Sequence, residues 1–371
     1  MKQLTKERVL EALRVVNDPD LHRDIVSLNF VKDIKIDGRD VHLTIELTTP
    51  ACPVRDQLKQ EAVDAVKNAV EGVNSVKVTM TSKVIAHESK QREAILPDVK
   101  NTVAVASGKG GVGKSTVAVN LAVALARDGA KAGLIDMDIY GPSAPLMMGI
   151  KTKPQVVNQK LIPLENYGVK VMSIGFLVDP MEAVIWRGPM ASSAVKQFIT
   201  DVDWGELDYL IFDLPPGTGD VQLTLVQSVP LTGGVIVTTP QDISLADARK
   251  GMKMFERVNV PILGIVENMS YYICPHCGHR DEIFSYGGGR RTAEEMGVPF
   301  LGEIPIVTDI RIGGDIGKPI VVQNPESEQA KAVTSIARFM AAQISIRHLS
   351  APKIPKVDIQ VGVPRKHIGN V

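Results

Sequence analysis

Residues 108–116 read Gly-Lys-Gly-Gly-Val-Gly-Lys-Ser-Thr, a glycine-rich stretch ending in a lysine and two hydroxyls. Gly108, Gly113, Lys114 and Ser115 satisfy the spacing G-x-x-x-x-G-K-[ST], which wraps backbone amides around a phosphate chain. The residue types follow from that chemistry. Glycines let N–H groups converge without Cβ obstruction, a lysine reaches the β- and γ-phosphates, and a hydroxyl holds Mg²⁺. The flanks agree. Thr102–Ala106 reads as a buried strand, and Val117, Leu121, Ala124 and Leu125 fall at helical spacing over 114–128. The loop Gly108, Lys109, Gly110, Gly111, Val112, Gly113, Lys114, Ser115, Thr116 therefore lies between a strand and a helix N-terminus, where anions are favoured. Binding of a nucleoside triphosphate is implied.

Carboxylates stand at the ends of two further strands. Ala132–Asp136 continues as Met-Asp-Ile-Tyr-Gly-Pro-Ser, and Tyr209–Asp213 continues as Leu-Pro-Pro-Gly-Thr-Gly. Strand C-termini form the rim at which open α/β sheets bind ligands. Asp213 is positioned to hold the water shell of Mg²⁺. Asp136 and Asp138, two residues apart, share one face of an extended chain. One can support the metal while the other orients the attacking water, or either can be a helix N-cap. Residues 215–219 form a glycine-hinged segment able to report the γ-phosphate. No Asn-Lys-x-Asp occurs, so the guanine-recognition sequence is missing and ATP is the expected nucleotide.

A different chemistry is carried by Cys274-Pro-His-Cys277-Gly-His279. Thiols at C-x-x-C spacing can close on one metal, yet two thiolates are half of a four-ligand site. A twofold dimer would supply the other pair. His279, or less readily His276, could instead complete a local zinc site, and a pair without metal is the bland alternative. The third cysteine, Cys52, follows Thr48-Thr-Pro-Ala at a turn before a helix. A helix N-terminus can lower a thiol pKa and favour the nucleophilic thiolate, which would make Cys52 a transfer thiol. Otherwise it is a small turn residue.

These groups need two scaffolds. Residues 1–88 read as a small α+β domain: a helix over 1–16 stopped at Asp18-Pro19-Asp20, a hairpin of 31–36 and 41–47 about Asp37-Gly38, a helix over 54–71 and a strand over 73–79. Residues 89–99 read as a linker. Residues 100–345 alternate strand and helix, which predicts a mostly parallel sheet flanked by helices, the α/β architecture of P-loop NTPases. The tail, 346–371, holds Pro352, Pro355 and Pro364 and cannot form an amphipathic membrane-anchoring helix. Lys plus Arg and Asp plus Glu both number 42, so no bulk field draws nucleic acid or an anionic membrane, and neither is an expected partner. Three cysteines, and no apolar leader at the N-terminus, point to a reducing, cytoplasmic setting.

With its extra lysine at position 109, the loop resembles the deviant Walker-A ATPases, the group containing MinD, ParA and the nitrogenase iron protein. The resemblance implies that Lys109 crosses a dimer interface to the partner's phosphates, that Asp138 orients the water and that Asn268 contacts adenine. From the residues alone Lys109 could be a solvated loop charge and Asn268 a plain loop asparagine. The Cys52 stretch, with Asp18-Pro19-Asp20, resembles the small domain of cytosolic iron–sulfur assembly factors. Gly108–Thr116, Asp136–Ser143, Trp186-Arg-Gly-Pro-Met190, Asp213–Gly219, Glu267-Asn-Met-Ser270 and Cys274–Gly278 occur in order, and together resemble the Mrp/ApbC family of iron–sulfur carrier ATPases. That resemblance implies a homodimer, a [4Fe–4S] cluster held between two C-x-x-C pairs, ATP hydrolysis linked to loading or release, and transfer to apo-proteins. It also implies Arg187 near the subunit interface. A MinD- or ParA-like positioning ATPase and a zinc-stapled dimeric scaffold are the alternatives.

Overall fold

A computed structural model describes residues 4–87, 89–138, 141–177 and 188–350; Trp186, Arg187 and the tail prolines lie outside them. The N-terminal unit is built as the sequence predicts, with shorter helices. Helix α1 (Lys6–Leu13) starts where the Thr5 hydroxyl accepts the Arg8 amide. Strands β1 (Val31–Asp37) and β2 (Asp40–Leu47) pair antiparallel, Asp37 opposite Asp40. Helix α2 (Arg55–Ala69) then returns the chain to β3 (Ser75–Ser82), which lies parallel to β2. Val41, Leu43, Ile45 and Leu47 alternate onto the buried face of β2 and pack with Val9, Leu13, Leu58 and Val66 into a separate core.

The connector differs from the expected plain linker. Ser89 caps a short helix, α3 (Lys90–Ile95). Within it Arg92 is buried and donates to the carbonyls of His87, Pro97 and Val99. A guanidinium carries several donors on one rigid fork, so one arginine satisfies carbonyls that no regular element pairs.

The larger unit contains β4 (Val99–Ala106), α4 (Lys114–Arg127), β5 (Ala132–Asp136), β6 (Leu164–Asn166), β7 (Val169–Ser173), α5 (Gly188–Thr200) and β8 (Leu207–Asp213). It continues through α6 (Asp220–Ser228), β9 (Gly233–Thr238), α7 (Asp242–Arg257), β10 (Ile262–Ile273), α8 (Gly288–Met296), β11 (Phe300–Ile306) and α9 (Glu328–Ser350). In the sheet the order is β6-β7-β5-β8-β4-β9-β10-β11, parallel except for β6 and for a two-residue strand, Arg280–Asp281, that also pairs with β10. Every residue of β5, β8 and β9 is buried, as expected of strands covered on both faces. The chain leaves β4 for one edge, returns to β8 and then fills the other edge. That reversal brings the loops after β4, β5 and β8 together on one rim.

The small domain docks at the opposite end. The Tyr209 hydroxyl, near the start of β8, donates to Thr49 Oγ1 at 2.9 Å in a buried contact. Ala51 is fully buried within the larger unit's core. Next to them Arg338 of α9 holds Asp128, just past α4, through two bonds of 2.7 and 2.8 Å. Helix α4 spans 14 residues, so this foot lies about 20 Å from the glycine loop.

Candidate active site and cysteine knuckle

In the glycine loop, Gly111 and Gly113 take φ of 82° and 80°, the left-handed region. A side chain at Gly113 would also collide with the Asn268 amide, and one at Gly108 with the backbone of Asp247. Asn268 Nδ2 donates to the Val112 carbonyl at 2.9 Å, which ties β10 to the loop. Lys109 is half-buried at the outer edge, next to exposed Gly110 and Gly111. Lys114 opens α4, and its Nζ lies 2.5 Å from Asp213 Oδ1 and 3.2 Å from Ser115 Oγ. Thr116 faces a different neighbour. With Asn268, Met269, Pro305, Val307 and Ile310 it lines a largely apolar cleft of about 330 Å³ beside the loop, suited to a flat base.

Asp136 and Asp213 are register partners across β5 and β8. Asp213 Oδ2 is buried with no partner, on the carboxylate whose other oxygen meets Lys114 beside Ser115. A divalent cation with its water shell fits that orphaned oxygen and the adjacent hydroxyl. Asp136, expected to support the metal, also bonds to the chain around it. Its Oδ1 accepts the Asp138 amide at 3.1 Å, and its Oδ2 accepts the Ala144 amide at 3.0 Å and the Ser173 hydroxyl at 3.2 Å. Both oxygens are committed to shaping the loop that carries Asp138. Burial, then the charge of Asp213, pushes the Asp136 carboxyl up to about 7. Asp213 is raised too, by burial, with Lys114 pulling the other way. Asp138 accepts the Gly141 amide at 3.3 Å and faces a second opening with Pro216, Asp220 and Gln222. Gln222, which sequence reasoning missed, donates to the Pro215 carbonyl and leaves its own Oε1 buried and unpartnered. It fixes the hinge at residues 215–219.

Strand β10 runs past Asn268 to Ile273. Its last residues gain a second partner, since Tyr272 and Ile273 pair antiparallel with Asp281 and Arg280. Cys274 begins the resulting knuckle. Its amide donates to the His279 carbonyl, and its carbonyl accepts the Gly278 amide, each at 2.9 Å. Gly278 takes a left-handed φ of 70°. Cys274 is half-buried and Cys277 exposed. The amides of His276 and Cys277, then the Cys277 thiol, hold the Cys274 thiol below its ordinary range. Among the described residues no group of three His, Cys, Asp or Glu can hold a metal ion. Cys274 and Cys277 are the pair of metal-ligating side chains that the knuckle brings together.

Both units of the chain match known families. Residues 98–341 match a family described as NUBPL iron-transfer P-loop NTPase, and residues 6–80 match one described as iron–sulfur cluster assembly protein. The chain belongs to the NUBPL-type P-loop NTPases. An iron–sulfur cluster carrier protein of Synechocystis is 51% identical over 352 residues, 93% of this chain and 99% of that relative. Its counterpart in Deinococcus radiodurans is 48% identical, over 93% of this chain and 97% of that one. A nucleotide-binding protein of Archaeoglobus fulgidus, solved with ADP, superposes with a TM-score of 0.57 at 40% identity, covering 65% of this chain and 94% of its own. The cell division ATPase MinD of Pyrococcus furiosus, at 24% identity and a TM-score of 0.50, shares the fold.

In this NTPase the third cysteine stands apart from the other two. Cys52 lies at the docked foot of the sheet, beside Arg338 and the Asp18-Pro19-Asp20 segment, while the knuckle extends beyond the opposite rim. The expected lowering of its thiol pKa is reversed. Burial pushes Cys52 up to about 11, and the nearby Asp18 and Asp20 charges add to that. Burial against the small domain's own core outweighs the start of α2, because desolvation penalises the thiolate.

Proposed function

We propose that the protein is a homodimeric, cytoplasmic ATPase that carries a [4Fe–4S] cluster between the Cys274–Cys277 pairs of two subunits and passes it to apo-proteins. The observation that carries this reading is the two-thiol knuckle on β10, the strand that also holds the phosphate loop through Asn268. Two thiols per chain, one half-buried and one exposed, match half of a cubane's ligand set once deprotonated. The names borne by the relatives from Synechocystis and Deinococcus support the same assignment. No helix among the described residues is long and apolar enough to cross a bilayer.

In the hydrolytic half, the amides of residues 108–116 cradle the phosphates and Lys114 leaves Asp213 for the β- and γ-phosphates. Mg²⁺, when bound through Ser115 and the water-mediated reach of Asp213, neutralises charge on the transferring phosphoryl group. Asp138 orients the attacking water from the side of residues 215–222, on the loop that Asp136 holds. Asn268 and the adjoining apolar cleft take the adenine. Lys109, at the loop's exposed edge, acts on the partner's nucleotide across the dimer seam, where a cation offsets transition-state charge. Anaerobic purification followed by absorbance and elemental analysis tests the cargo. About four irons and four sulfides per dimer are expected, with a broad thiolate-to-iron absorption. Stoichiometric zinc without sulfide would replace the carrier reading by the stapled-scaffold one.

A further inference from the structure

The knuckle is tied back to the phosphate loop by side chains that its own motif does not contain. Arg280 directly follows His279, whose carbonyl receives the Cys274 amide. Its guanidinium stacks 3.9 Å from the Tyr271 ring centroid and 4.5 Å from that of Tyr286. Glu303 of β11 completes the set, 3.9 Å from Arg280 and accepting the Tyr286 hydroxyl at 3.2 Å. Tyr286 in turn adjoins Gly287, and Glu267 binds this stretch. One Glu267 oxygen accepts the Gly287 amide at 3.1 Å and the Ser270 hydroxyl at 2.5 Å; the other accepts the Gly289 amide at 2.5 Å. Glu267 is fully buried and precedes Asn268, which holds Val112. A continuous run of contacts thus joins Val112, Asn268, Glu267, the start of α8, Tyr286, Arg280 and Cys274. Between Asn268 and Tyr272 the pairing of β10 with β11 shifts register, and Met269 takes a φ of 56°, so the strand is kinked within this run.

We propose that Arg280 is a positioning residue: clamped between Tyr271 and Tyr286, it sets the knuckle's geometry and makes that geometry depend on the state of the phosphate loop. The inference rests on Cys274 and Cys277 being the working thiols, but not on which metal they carry. Arginine suits the place because its planar cation stacks on two rings while its edge reaches a carboxylate, which a lysine ammonium cannot do. A nucleotide that moves Val112 shifts Asn268, and the shift arrives at the knuckle through the capped start of α8.

Thiol alkylation of the metal-free full-length chain tests this, with Cys52 replaced by serine so that only the knuckle reacts. Adding Mg²⁺ and a non-hydrolysable ATP analogue is expected to change the alkylation rate of the Cys274–Cys277 pair by about fivefold or more. In Arg280→Gln that response disappears while analogue affinity is unchanged. Arg280→Lys restores it in part, and Tyr286→Phe, which keeps the stacked ring, retains most of it. A nucleotide response in Arg280→Gln equal to that of the parent overturns the proposal, as does a parent chain with no response. Because no cluster is present, failure of the carrier reading is scored separately by iron and sulfide content.

Discussion

Replacing Lys114 with alanine is expected to lower ATP hydrolysis by at least about 10²–10³-fold, the effect of deleting a preorganised group that stabilises transition-state charge. The same substitution has a second consequence, because Lys114 also neutralises Asp213 within a pair that is almost wholly buried. Removing one member of a buried pair leaves an uncompensated charge and costs about 3–5 kcal/mol. The sign with pH follows from the raised carboxylates. Asp136 already sits at about 7 instead of its ordinary 3.8, so in the fold its neutral form is favoured. Such a group's contribution is fully present below the unfolded value and is lost as pH rises through the folded one. Without Lys114, Asp213 joins Asp136 in resisting ionisation. The Lys114→Ala chain should therefore lie closest to wild type in stability near pH 5 and furthest from it near pH 8. Thermal melts of the nucleotide-free proteins at both pH values, with phosphate release at each, check both parts. Unchanged turnover would break the phosphate-loop assignment, and a pH-independent stability loss would break the electrostatic account of Asp213.

The second large effect concerns the cargo. Cys274→Ala and Cys277→Ala should each abolish the iron–sulfur chromophore, since a dimer would then offer two thiolates to a cluster that takes four. The ATPase fold should tolerate either change. Both residues lie on the outer knuckle, and neither belongs to a hydrophobic core. Substitutions of that kind usually fall within about 0.5 kcal/mol. Iron and sulfide analysis of the variants, beside their melting temperatures, separates loss of the cluster from loss of the fold. A variant that keeps the full complement of iron would remove these cysteines from the site.

The phosphate loop was legible because its determinants are contiguous: the glycines, Lys114, the preceding strand and the following helix all fall within one short stretch. Asp213 was legible for a similar reason, a carboxylate closing an apolar run. The role of Asp136 was not, because Ser173 and Ala144 reach it only after β7 and the loop beyond Asp138 fold onto β5. Cys52 shows the same limit more sharply. Local sequence places it before a helix, which favours a thiolate. Its burial, though, comes from packing on the small domain's core, which only the folded arrangement of α1, α2 and β2 reveals. Nothing in the local sequence singles out Arg280. Only the register of β10 against Arg280–Asp281 reveals the stack with Tyr271 and Tyr286. The short helix around Arg92 was hidden likewise, since its stabilising bonds run to carbonyls on both sides of Pro97.

The location of Cys52 constrains any transfer route. With the small domain docked, Cys52 and the Cys274–Cys277 pair lie at opposite ends of the sheet, so a cluster held at the knuckle would not meet Cys52 of the same chain in this arrangement. Delivery from the knuckle directly to an acceptor is the simpler path.

The most direct measurement is transfer itself. Loaded protein, freed of excess iron and sulfide, is mixed anaerobically with an apo-enzyme that needs a [4Fe–4S] cluster, with and without ATP and Mg²⁺. A carrier should restore the acceptor's activity as its own absorption falls, at a rate that nucleotide changes and that an external iron chelator leaves intact. If the acceptor stays inactive while the donor keeps its cluster, or if the chelator intercepts all of the iron, the protein is not a carrier.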